Sequence, residues 1–523
     1  MAHHHDTRTD VVVIGGGQAG LAMSRCLTDL SIDHVVLERG QTANSWRTER
    51  WDSLRLLTPN WMTRLPGRSY QGNDPDGYMT AGEVVSFLDT YRRSFGAPVR
   101  NETTVEQVAR TDSGHVVRTN QGSWRSRAVV VASGAFSNPS IPAFAADVPA
   151  HIEHVTPNVY RNPSQLPDGG VLVVGASASG IQIADELNRA GRDVTLATGE
   201  HVRVPRTYRG MDLHWWMDAV GLLDERFDVL DDLERSRRLP SLQLVGSPDR
   251  RDLDLNTVAT NGVSVVGRLV GVSGHRGLCS GSLANVCTLA DLKQRRLLDR
   301  FDEWAADHGL DAELADPDRP AATALDVTRL EVDLRSVGTI VWATGYRPDY
   351  PWLDPDLLDT KGRIVHDGGV MRAPGMYALG LPFMRRHKST FLDGVGADAI
   401  ELADHLRLHL DAAAALTRHT LLPDLPTHPI TPHDRVAAHP DRNHHEHEHD
   451  HHRHRHQHAH LAAPRPLGCH RRRRRRQPRR RHRRLRRRGR AVRLGLRADH
   501  VVSSHRHEVG RADRAEIVAA RLT

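Results

Sequence analysis

Cysteine is scarce in this chain of 523 residues: only Cys26, Cys279, Cys287 and Cys469 occur, and no two share a CxxC or CxxxxC spacing. That excludes a disulfide scaffold, a zinc ribbon and a redox-active dithiol, and it suits a reducing compartment. Long apolar runs are missing as well. None reaches the ~18 residues that span a bilayer, and the opening MAHHHDTRTD has no hydrophobic signal core. A cytoplasmic protein without a membrane span is therefore expected. Lysine is confined to Lys293, Lys361 and Lys388, so arginine supplies nearly all of the 71 basic side chains. No GxSxG turn is present, which removes the nucleophile elbow of a serine hydrolase.

What charge there is sits unevenly. The formal net charge is +7, but fifteen arginines fall within residues 471–490, where no acid occurs; without those fifteen the rest of the chain carries −8. The basic character belongs to that tail, so no argument for nucleic-acid binding applies to the main body. Residues 1 to about 412 alternate short β-branched runs with helical patterns, the texture of an α/β fold with parallel strands. Beyond them come the proline-rich linker LLPDLPTHPITP (421–432), ten histidines within 444–460, and the arginine run. Residues 413–523 have too little apolar surface to offset their ordering entropy, so a disordered tail is expected. Its histidines could bind a transition metal and its arginines a polyanion or anionic membrane. Alternatively the tail is an inert extension, or an out-of-frame translation of a GC-rich gene.

The first chemical signal is at the start. Val11-Val12-Val13-Ile14 is a continuous apolar run, as in a parallel strand covered on both faces. It leads into Gly15-Gly16-Gly17-Gln18-Ala19-Gly20, a GxGxxG motif. Ala19, Ala22, Met23, Cys26, Leu27 and Leu30 then form one helical apolar stripe. A second strand, His34 to Leu37, ends at Glu38. Gly15 permits the tight turn, Gly17 leaves the backbone open to a pyrophosphate, and Gly20 lets the helix pack close to the strand. The helix N-terminus attracts the phosphates, and Glu38 is placed to accept from a ribose diol.

The pattern repeats. Val171-Leu172-Val173-Val174 precedes Gly175-Ala176-Ser177-Ala178-Ser179-Gly180, with serine as the middle member, and Val194-Thr195-Leu196-Ala197 is the second strand. That strand ends in Thr198-Gly199-Glu200, with Arg203 and Arg206 close behind. Guanidinium groups there would pair with a 2′-phosphate and favour NADPH, whereas Glu200 keeps NADH open. Two such sites imply two dinucleotides: a flavin that stays bound, and a nicotinamide that delivers hydride to it.

These residues resemble the flavin-containing monooxygenases and their bacterial relatives, from residue 10 to about 410, and in style the flavoproteins labelled CzcO-like. The resemblance makes the first site an FAD fingerprint, joined by Arg39 and by Ser45-Trp46-Arg47, and the second an NADPH fingerprint. Val129-Val130-Val131-Ala132-Ser133-Gly134 and Val341-Trp342-Ala343-Thr344-Gly345-Tyr346 resemble the strands that leave and re-enter the FAD domain. Leu379-Gly380-Leu381 and the segment from Arg386 to Ala397 resemble the strand and helix start that close on the flavin. The family motif FxGxxxHxxxY is degraded: Val148 and Ala150 replace its Phe and Gly, His154 matches, and Tyr160-Arg161 comes two residues late. Leu57 stands where members often carry an asparagine, with Asn60 three residues on. That departure bears on oxygenation more than on flavin reduction.

The implied architecture is two Rossmann-type dinucleotide-binding domains, FAD on 1–166 and 330–412, with NADPH on the inserted 167–329. The implied function is an NADPH-dependent monooxygenase that forms a C4a-hydroperoxyflavin with O₂ and oxygenates a small molecule. Alternatives are a flavin reductase or oxidase that passes electrons to a quinone, a protein or O₂, and a redox- or metal-responsive regulator. The flavin is the reagent, so candidate catalytic residues are few. His154 would orient the nicotinamide or be a plain loop histidine. Arg386, His387 and Lys388 would stabilise negative charge on reduced flavin or form a basic surface turn. Trp215-Trp216 and the stretch Trp51 to Trp61 are either cofactor walls or core.

Overall fold

The structure is a computed structural model, and it describes residues 6–326 and 328–420. The linker, histidine run and arginine run lie outside the described residues, as do the readings of metal and polyanion binding placed on them. The described chain belongs to one compact unit.

The chain opens with β1 (Asp6–Ile14), α1 (Gln18–Asp29) and β2 (His34–Leu37), and continues through a short strand at Val99–Arg100 and a meander to β3 (Gly122–Val131). It then crosses into a second sheet. There β4 (Gly170–Val174), α2 (Ala178–Arg189), β5 (Val194–Thr198), the long α3 (Leu283–Asp307) and β6 (Val337–Trp342) follow in order. It returns with β7 (Met376–Ala378) and ends in α4 (Leu392–Thr420).

The first sheet has a parallel centre, in spatial order β7, β3, β1, β2 and Val99–Arg100; short antiparallel strands extend it at His366–Met371 and in the meander. The second is wholly parallel, ordered Ser264–Gly267, β5, β4, β6 and Glu153–Val155. Val11, Val12 and Val13, like Leu172 and Val173, are 0% exposed, because helices or loops cover both faces of these strands. Each such side chain contributes roughly 1.5–3 kcal/mol by leaving water.

Two boundaries differ from expectation. Glu153–Val155 and β6 hydrogen-bond within the second sheet, so that sheet extends past both ends of 167–329. The strand before Ala343 thus belongs to the second sheet, and only the turn after it leads back. At the other end, α4 runs on to Thr420, through residues assigned to the tail. The run Ala412 to Ala415 explains it, since alanine has the highest helix propensity. Among the described residues no helix is long and apolar enough to cross a membrane.

Candidate functional site

Both glycine motifs sit where a parallel strand turns into a helix, at the carboxyl ends of β1 and β4. Gly15 and Gly175 have φ of +112° and +108°. A Cβ on Gly15 would lie 2.4 Å from the carbonyl oxygen of Ala132, and one on Gly175 2.3 Å from that of Ala343. Gly20 and Gly180 close the turns: a Cβ on either would meet the carbonyl oxygen of Gly15 or Gly175 at 1.8 Å. At Gly17 a Cβ would meet nothing within 4 Å, so its backbone faces open space. Glu38, buried at the end of β2, accepts from the N–H of Gly16 at 2.6 Å and of Gly40 at 3.1 Å. Its carboxylate is thereby aimed at the mouth of the first turn.

The two turns open into a single cavity of about 2080 Å³. Its wall includes Gly15, Gly17, Gln18, Ala19, Glu38, Arg39 and Trp46 from the first turn and its flank. From the second turn come Gly175, Ser177, Ala178 and Ser179. Gly134, Thr344, Gly345 and Gly380 complete the rim between them. Gln18 ties the parts together: its Nε2 donates to the Thr390 carbonyl at 3.2 Å, and its Oε1 accepts from Trp46 Nε1 at 3.3 Å. An open glycine backbone at one helix start, a carboxylate opposite it and a second such turn across the same chamber are a fitting donor set for two dinucleotides.

Residues 12–213 match the family described as pyridine nucleotide-disulphide oxidoreductase. An uncharacterized CzcO-like oxidoreductase of Geobacillus kaustophilus is 32% identical over 76% of this chain and 99% of its own length. The chain belongs to the CzcO-like oxidoreductases. An indole-3-pyruvate monooxygenase of Oryza sativa, YUCCA4, is 26% identical over 76% of this chain and 88% of its own. The flavin-containing monooxygenase of Stenotrophomonas maltophilia superposes with a TM-score of 0.53 at 20% identity, over 77% of this chain and 99% of that one, and so shares the fold. This CzcO-like chain is thus a flavin monooxygenase-like flavoprotein oxidoreductase, an enzyme dependent on FAD and NAD(P).

Several expected site residues stand elsewhere in the CzcO-like chain. Arg203 is buried, with its guanidinium 2.6 Å from Asp254 and 2.8 Å from Asp291. Arg206 is buried too, bound to Asp212 at 2.7 Å and to the Leu57 carbonyl at 2.9 Å. Neither lines the cavity, so neither is available to a 2′-phosphate; internal carboxylates have claimed both. Arg47 is likewise held by Asp89 at 2.6 Å and by the Thr42 carbonyl, off the cavity wall. Arg386 pairs with Asp398 and Glu401 and Lys388 with Asp393 and Asp224, so their charge is neutralised away from the cavity. His154 is exposed on the edge strand of the second sheet, its ring 5.7 Å from that of Trp342, and does not reach the cavity. Trp215 and Trp216 pack with Trp304, and Trp216 stacks on Phe301 at 5.3 Å, which makes them core. Asn60 is buried and donates to the Asp74 carbonyl at 2.9 Å.

Of the expected catalytic candidates only His387 lines the cavity. Others on the wall had no motif to announce them. Arg50 lies over the Trp46 ring at 5.2 Å, with no carboxylate at ion-pair distance among the described residues. Arg268, directly after Ser264–Gly267, lines the rim beside Gly199 and is likewise unpaired among the described residues. Beyond Gly199, a recess of about 330 Å³ is lined by Glu200, Asp232, Arg235, Arg238, Leu239 and Lys293. His214, 2% exposed, also faces the chamber.

Proposed function

We propose that the protein is an NADPH-dependent FAD monooxygenase acting on a small organic molecule with O₂. The observation that carries the reading is the single cavity joining both glycine turns, since two dinucleotides held there share one chamber. Bound FAD would supply two-electron redox chemistry and activation of dioxygen. The chain's own groups bind and orient. The first turn and Glu38 hold the FAD diphosphate and ribose, Arg50 offers an unpaired cation to the diphosphate, and the second turn holds the nicotinamide nucleotide. With Arg203 and Arg206 committed inside, the NADPH preference passes to Arg268, with Arg235 near it; Lys293 is paired with Glu200 at 3.1 Å and Arg238 with Glu234 at 3.5 Å. The name of the rice relative, an indole-3-pyruvate monooxygenase, supports oxygenation of a small molecule.

A specific observation favours a second reading, a flavin reductase or oxidase. Leu57 lines the cavity at the position where related sequences often have an amide, and the nearby Asn60 is spent on Asp74. The two readings separate on coupling. With its substrate, a monooxygenase consumes NADPH and O₂ with little peroxide, whereas an oxidase releases peroxide stoichiometrically.

The test is the visible spectrum of the purified full chain. NADPH added without oxygen is expected to bleach the flavin band, and NADH to do so only at higher concentration. Arg268→Ala is expected to lose about tenfold of the NADPH-over-NADH preference in KM, the worth of one charged hydrogen bond. Protein that stays colourless when offered FAD, or a flavin indifferent to both nucleotides, would overturn the reading.

A further inference from the structure

Two imidazoles on the cavity wall carry ring nitrogens that no described protein group uses. His214 is fixed from behind. Arg206 donates to its Nδ1 at 3.0 Å and to Asp212 at 2.7 Å, and the His214 backbone N–H donates to Asp212 at 2.8 Å. Arg206 is itself anchored on the Leu57 carbonyl and lies 5.0 Å over the Tyr78 ring, whose hydroxyl donates to Asp212 at 2.7 Å. A guanidinium only donates. Asp212 Oδ1 also lies 3.5 Å from Nδ1, but the obligate donor Arg206 is nearer at 3.0 Å, so we take Nδ1 of His214 as the lone-pair nitrogen, with the proton of the neutral ring on Nε2, the nitrogen left for the chamber.

His387 comes from the other module, in the segment ahead of α4. Its backbone N–H is held by the Glu225 carbonyl at 3.2 Å, but its Nδ1 is buried with no hydrogen-bond partner among the described residues. No protein group among the described residues fixes its tautomer. Both imidazoles flank Phe391, at 6.3 and 6.4 Å between ring centroids, and Phe383 stands edge-on to His387 at 5.2 Å. Phe383 and Phe391 line the same cavity. Burial keeps both imidazoles below the ordinary histidine range, and at His387 the neighbouring His214 adds to the effect.

Nδ1 of His387 is shut off from the chamber, so Nε2 of each ring is the nitrogen left without a partner among the described residues on the cavity wall, and such a group points to an occupant. Charge selects its chemistry. Arg206 is matched by Asp212 and both rings are neutral, so a carboxylate here would be buried without a counter-ion. A hydrocarbon would leave the donors unsatisfied. We propose that His214 and His387 are the substrate-oxygen site of the chamber: they donate hydrogen bonds to the carbonyl oxygen of an uncharged aromatic or alkyl carbonyl compound, whose apolar body lies against Phe383 and Phe391. The assignment rests on the proposed function in placing substrate in that chamber, but its test needs no turnover.

Calorimetric titration of the purified full chain with acetophenone, ethylbenzene and benzoate tests it. Acetophenone is expected to bind about tenfold more tightly than ethylbenzene, the worth of one buried hydrogen bond, and more tightly than benzoate. His214→Asn leaves an oxygen for Arg206 to bond but is too short for its amide N–H to take the place of Nε2, and His387→Phe keeps a flat ring. Each is expected to cut the acetophenone preference at least threefold while ethylbenzene affinity holds. Equal binding of acetophenone and ethylbenzene, tightest binding of benzoate, or an unchanged preference in a folded His387→Phe protein would overturn the proposal. A chain that bound acetophenone selectively yet took no hydride from NADPH would overturn the proposed function and leave this site standing.

Discussion

Two glycines of one motif do different physical work, and alanine at each separates them. At Gly17 a methyl group enters open space at a φ of −85°, which any residue tolerates. Gly17→Ala is expected to keep its thermal midpoint, with a stability change within about 0.5 kcal/mol, yet to lose most of its bound flavin, because the methyl occupies the diphosphate's approach. At Gly20 the methyl would lie 1.8 Å from a backbone oxygen, so Gly20→Ala is expected to lower the melting temperature and the flavin content together. Flavin absorbance per protein, read beside a thermal melt, distinguishes the two. Both steric settings, open backbone at Gly17 and close approach at Gly20, were legible in the sequence, since a GxGxxG between a buried strand and a striped helix imposes them locally. His214 was not legible. It sits between Leu213 and Trp215 with no spacing to mark it, and Arg206, eight residues earlier, orients it together with Asp212.

At the scale of elements, the end of β5 shows how an arginine's position in sequence can mislead. Arg203 follows the strand where a phosphate-binding cation is expected. The fold instead brings it against Asp254, which caps the helix beginning at Leu255, and against Asp291 in the middle of α3. It joins three elements through charges out of water. Arg203→Ala would leave two buried carboxylates without a cation and is expected to cost about 3–5 kcal/mol in denaturant unfolding. The ratio of NADPH to NADH activity of whatever folds is expected to stay unchanged. An altered ratio would return Arg203 to the nucleotide site. Arg268 earned no notice in the sequence because its link to Gly199 depends on β5 pairing with Ser264–Gly267, as in Thr195 with Ser264, far apart in the chain.

At the scale of the whole molecule, the two sheets are tied beyond the crossover strands. Residues 223–227 of the second module lie along 385–388 of the first. Phe227 N–H donates to the Arg385 carbonyl at 3.0 Å, His387 to Glu225 and Lys388 to Leu223, both at 3.2 Å. Lys388 adds an ion pair to Asp224 at 3.1 Å, and Arg226 one to Glu401 at 3.5 Å. Lys388, expected to serve the flavin, thus helps to hold the modules together, whereas Arg386 is tied to Asp398 and Glu401 within its own module. Every cavity-wall residue among the described residues lies before Thr420, the last of them being Leu392. A chain ending at Thr420 is therefore expected to take up FAD, and to be reduced by NADPH, at rates within about twofold of the full chain in stopped-flow absorbance. A larger loss would give the tail a part in the reaction.

The sequence by itself determined the two strand–glycine–helix units, their order and the acid at the end of β2. Those depend on neighbours a few residues apart, and on steric limits that hold in any surroundings. Only the tertiary structure decided which arginines keep their charge for a ligand and which histidines face the chamber. An ionic group pairs with whatever carboxylate the fold brings within a few ångströms, and here those partners come from strands, helices and loops far away in the chain.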